Sequence, residues 1–159
     1  MCNGLKRRGY GIFLCIDARE WDWTRIKMES EISFDKLLRS LEIRLGNLFN
    51  KVSEINIFKF EEMAVIYKQL ENCPHKKLQI DAPEKLDLEN EFSLQDVQTL
   101  RLICNHNGRI SFCVSKEIFI QYFEDFYYSG DEIIVIEAKT QKPICYLDHE
   151  EFALIPIKA

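Results

Sequence analysis

From Leu100 onward the chain is a series of short apolar runs, none long enough for a stable helix. Leu100–Asn105, Ile110–Val114, Glu132–Glu137, Ile144–Asp148 and Phe152–Ile157 are each five or six residues long and rich in Ile, Val, Leu and Phe. Such runs read as strands, because β-branched and aromatic side chains suit a pleated surface and a helix needs about ten residues or more. The first two flank Asn107-Gly108, the pair favoured by a tight primed turn in which both central residues take positive φ. In that register Cys104 opposes Ser111 and Leu102 opposes Cys113. Between the second and third runs lies a helical pattern over Lys116–Tyr128, with Ser115 at the N-cap and Ser129-Gly130 at the end. Ile118, Phe119, Tyr122, Phe123 and Phe126 form its inward stripe, and Tyr127 and Tyr128 project away. Pro156 marks the final run as an edge strand.

The first half supplies two more helices. Phe34, Leu37, Leu38, Leu41, Leu45, Leu48, Phe49 and Val52 recur at helical spacing after an N-cap at Ser33. Met63, Ile66, Tyr67 and Leu70 share a face over residues 61–72, which Cys73-Pro74 ends. Strands are expected over Gly9–Asp17, Glu54–Phe60 and, shorter, residues 77–81. Trp21 and Trp23, two apart, share one strand face, as core or as an interface anchor. With 159 residues the expectation is one α+β domain over 1–159: a mostly antiparallel sheet packed against about three amphipathic helices. Residues 82–98 contain Pro83 and no sustained period, so they read as a loop with one helical turn at Ser93–Gln98 and as the possible internal boundary.

Charge divides the chain. Residues 1–80 carry 14 Lys and Arg against 11 Asp and Glu, whereas residues 81–159 carry 7 against 15. The acidity is densest from Asp81 to Asp96, where six carboxylates stand against Lys85 alone. Such a half repels phosphate backbones, so direct nucleic-acid binding is not expected, and it attracts a basic protein. The candidate partner-binding residues are a loop group, Glu84, Asp87, Glu89, Glu91 and Asp96, and a terminal group, Asp148, Glu150 and Glu151. No apolar run approaches the roughly 20 residues that span a bilayer. Lys6 to Arg8 followed by Tyr10 to Ile16 imitates a signal peptide, but the apolar part stops at Asp17 without a small-x-small cleavage site.

Catalytic and metal motifs are sparse. The six cysteines, at 2, 15, 73, 104, 113 and 145, form no Cys-x-x-Cys pair. In the expected hairpin register Cys104 and Cys113 are diagonal neighbours on one face, roughly 7–8 Å apart, too far for a disulfide. A zinc site from Cys104, His106 and Cys113 lacks a fourth ligand, so no metal and no cofactor are expected. Reduced core thiols and the absence of an Asn-x-Ser/Thr site fit a cytoplasmic protein. Met1-Cys2 looks like the start of amidotransferases with an N-terminal nucleophile, but Asn3 departs from their Met-Cys-Gly-Ile pattern. His75, His106 and His149 sit in polar or turn contexts. The expectation is therefore a non-enzyme.

Across Leu100–Ile157, with its hairpin, helix and terminal strands through Asp131–Phe152, the chain resembles the immunity proteins of contact-dependent and other polymorphic bacterial toxin systems. That resemblance implies neutralisation of a cognate toxin, often a nuclease whose basic cleft needs an acidic partner. The alternatives are a small enzyme whose site assembles from dispersed His, Asp, Glu and Cys residues, and a phage or host inhibitor that mimics nucleic-acid charge.

Overall fold

The runs of Ile, Val and Leu that begin at Thr99 pair into the centre of a seven-stranded antiparallel sheet. The structure is a computed structural model describing residues 33–104, 109–129, 132–148 and 152–157. The strands are β1 (Ser53–Ile57), β2 (His75–Gln79), β3 (Thr99–Cys104), β4 (Ile110–Ser115), β5 (Glu132–Glu137), β6 (Pro143–Asp148) and β7 (Phe152–Pro156), in the order β1-β4-β3-β5-β6-β7-β2. All six neighbouring pairs are antiparallel. The outermost strands, β1 and β2, therefore run in the same direction at opposite edges.

Both faces are covered, which is why the central strands read as continuous apolar runs. One face holds Leu100, Leu102, Phe112, Ile133, Val135 and Leu147 in a single apolar cluster. Helix α1 (Phe34–Leu45), which continues as a 3₁₀ turn over Gly46–Lys51, packs there through Leu37, Leu41, Leu45 and Leu48. The other face holds Ile103, Ile134, Ile136, Tyr146 and Leu154 beneath Met63, Ile66, Tyr67 and Leu70 of α2 (Phe60–Asn72). Helix α2 connects β1 to β2, so it crosses this face from one edge of the sheet to the other.

The segment between β2 and β3 belongs to the first face. It forms a 3₁₀ turn at Pro83–Lys85 and a short helix α3 at Leu88–Glu91, and it buries Leu88, Phe92 and Leu94 in the main cluster. The expected helical turn at Ser93–Gln98 thus lies earlier. Asp87 explains the shift, because its carboxylate accepts the Asn90 backbone N–H and opens the helix. Ser93, at φ 53, follows the helix in the left-handed region.

Three further expectations change. The hairpin ladder pairs Cys104 with Ile110, Leu102 with Phe112 and Arg101 with Cys113, one residue away from the register of a two-residue turn. Asn107-Gly108 itself lies outside the described residues, as do Gly9–Asp17, Trp21, Trp23, His106 and His149. The aromatic helix is two segments, α4 (Lys116–Gln121) and α5 (Phe123–Tyr127), broken at Tyr122 with φ −117 and ψ 29. The break turns Tyr127 inward with Phe123 and Phe126, leaving Tyr128 alone exposed. Finally, β7 is not an edge: β2 pairs outside it up to His75 opposite Pro156, and the proline is tolerated as the last residue of the strand.

Candidate functional site

The acidic segment is a fixed surface. Leu88, Phe92 and Leu94 anchor it below, and Phe92 meets Phe123 at 5.8 Å between ring centroids. Lys116 Nζ, at the start of α4, lies 3.2 Å from Glu89 Oε1, 3.3 Å from the Leu94 carbonyl and 3.4 Å from the Gln95 carbonyl. Glu91 pairs with Lys76 of β2 at 3.4 Å. Asp87 accepts from the Asn90 side-chain amide at 2.6 Å as well as capping α3. Three of the five loop carboxylates therefore bind within the chain, while Glu84 and Asp96 are exposed together with Asp81.

Asp96 has neighbours that the sequence did not indicate. It lines a cavity of about 620 Å³ with Glu54 of β1, Glu137 of β5, Thr99 and Thr140. The Thr140 hydroxyl donates to the Glu137 carboxylate. Glu54 takes φ 49 beside a register shift between Ser53 and Asn56, an irregularity that no pattern in SEINI announces. These three carboxylates are far apart in sequence, and only the sheet order brings them together.

The terminal group divides. Glu150 and Glu151 lie outside the described residues. Asp148 is buried at 1% exposure, so it is not part of an exposed acidic surface. Strand alternation places it on the α2 face with Tyr146 and opposite Glu132 in the β5–β6 register. The Tyr146 hydroxyl lies 3.2 Å from Asp148 Oδ2, and the Asp148 carbonyl accepts from the Tyr127 hydroxyl at 2.7 Å. Burial, reinforced by the Glu132 carboxylate, pushes the Tyr67 and Tyr146 phenols well above their usual pKa. Arg109, also buried, donates to the Phe58 carbonyl at 2.7 Å. This end of the sheet is thus held by a polar network beneath α2.

The cysteines separate as well. The observed register puts Cys104 on the α1 face and Cys113 on the α2 face beside Ser111, so the two cannot share a metal. No group of three or more His, Cys, Asp or Glu among the described residues could hold a metal ion. Burial raises the thiols of Cys104 and Cys113 to about 11 and that of Cys145 further. No helix among the described residues is long and apolar enough to cross a membrane. No protein-family model, curated protein or solved structure matches this chain.

Proposed function

We propose that this chain is a non-catalytic inhibitor that binds a basic protein partner through its acidic segment, in the manner of a toxin-immunity protein acting in the cytoplasm. The observation that carries the reading is the anchoring of that segment. Asp81, Glu84, Asp87, Glu89 and Asp96 are exposed on a stretch whose apolar side chains are core residues. A charged surface held in one geometry attracts an oppositely charged partner at long range and loses little entropy on docking. The cavity carboxylates Glu54 and Glu137 adjoin Asp96 there, with Lys139 beside them.

The test is protection. The gene adjacent to this one is expected to encode the partner, and its product, expressed alone, should arrest growth. Co-expression of the wild-type chain should restore growth, and a D81K/E84K/D96K variant should not. A harmless neighbouring product, or equal rescue by the variant, overturns the proposal.

A further inference from the structure

The sheet parts at one end. Strands β6 and β7 are in register only from Tyr146 opposite Leu154 to Asp148 opposite Phe152. Beyond Tyr146, β6 stays with β5 as far as Ile136 opposite Pro143, and β7 stays with β2 as far as Pro156 opposite His75. Each side of the split is thereby fixed by a different neighbour. Proline stands at both lips and has no N–H with which to close the ladder. The result is a cavity of about 470 Å³, within the size range of small-ligand sites.

Its walls combine an apolar body with a rim that, among the described residues, carries one cation, Lys142, and one carboxylate, Glu137. Phe92, Val97, Ile144 and Ile155 supply the apolar surface, and Gln69, Ser93 and Lys142 supply polar groups. Glu137 also lines it but accepts from the Thr140 hydroxyl within its own turn. Among the described residues no carboxylate lies within ion-pairing distance of the Lys142 ammonium. The geometry points to a binding site for a small carboxylic acid with an aliphatic or aromatic body, its carboxylate on Lys142 and its body between Ile144 and Phe92. The site shares Phe92, Ser93 and Val97 with the acidic segment and Glu137 with the neighbouring cavity, but its hold on an acid rests on Lys142 and not on the proposed protein partner.

Titrating the full chain with octanoate or phenylacetate, and with the corresponding amides, tests the assignment by NMR. Backbone signals of Gln69, Ser93 and Ile144 should shift to saturation with the acids, and the amides should bind about tenfold more weakly because they lack the charge-assisted bond. Bound octanoate should also slow alkylation of Cys73, which lines the same cavity, as read by peptide mapping. Lys142→Met, in an exposed turn, should bring the acids to the affinity of the amides, and Ile144→Trp should fill the cavity and abolish both. Lys142→Met needs no repacking and decides the matter even where Ile144→Trp does not fold. The proposal is overturned by an absence of saturable shifts at millimolar acid, by saturation confined to other residues, by equal binding of acids and amides, or by an unchanged affinity in Lys142→Met.

Discussion

Tyr127 and Tyr128 are adjacent and chemically identical, yet 1% and 58% exposed. Tyr127 gives its hydroxyl to the buried Asp148 carbonyl, so Tyr127→Phe should cost about 1–2 kcal/mol by removing that buried hydrogen bond. Tyr128→Phe should change stability by less than about 0.5 kcal/mol. Urea unfolding of the two variants separates these outcomes. The thiols allow a second residue-scale prediction. Cys104 in the folded chain titrates near 11 against an ordinary 9.0, so the unfolded chain loses its proton first. Its contribution is fully present below pH 9 and lost as pH rises toward 11, at up to about 1.4 kcal/mol per pH unit. Urea midpoints measured from pH 7 to 11 should fall above pH 9, and Cys104→Ala, though less stable at pH 7, should fall less steeply. Parallel slopes would mean that Cys104 does not titrate as its burial requires. The buried thiols were legible, because cysteine among Ile, Leu and Phe is a small hydrophobe. Asp148 was not, because in the sequence it joins an acidic cluster with Glu150 and Glu151, whereas strand alternation carries it under α2.

Among the elements, the acidic segment shows two kinds of residue in alternation. Phe92 lies within the main core, so Phe92→Ala should destabilise the whole protein by about 3–5 kcal/mol. Asp87→Ala removes only the cap of a one-turn helix and should cost about 0.5–1 kcal/mol, and Glu84→Ala should cost nothing measurable. Thermal melts of the three variants should rank in that order, and a mild effect of Phe92→Ala would mean that the segment is a tether. Sequence pattern located the long elements well, since Met63, Ile66, Tyr67 and Leu70 face the core as their spacing predicts. It misplaced what depends on a single local event. The one-residue register shift in the β3–β4 hairpin put Cys104 and Cys113 on opposite faces, and the break at Tyr122 brought Tyr127 inside. Periodicity averages over a window and is blind to a one-residue insertion or a kink.

At the scale of the molecule, the sheet order decides which charges meet. The sequence showed strands and an antiparallel bias, but nothing in it shows that β1 and β2, consecutive in the chain, lie at opposite edges with α2 crossing between them. Glu54, Asp96 and Glu137 adjoin one cavity only because β1, β3 and β5 begin or end at the same end of the sheet. The acidic segment also refines which charges a test should change. Glu89 and Glu91 bind Lys116 and Lys76, so reversing them perturbs the fold and the field together. Asp81, Glu84 and Asp96 are exposed, so a D81K/E84K/D96K variant should keep its melting temperature to within a few degrees, since exposed charges contribute little to stability. Its net charge rises from −5 to +1. Association with a basic partner should then slow by about tenfold or more at low salt, because the change removes long-range attraction. The difference should shrink as added salt brings the screening length to about 10 Å at 0.1 M, while dissociation rates stay nearly constant. Stopped-flow association across a salt series measures both. Equal association rates for wild type and variant at low salt would show that the segment's charge does not guide the partner, and a change confined to dissociation would assign these carboxylates to close contact instead.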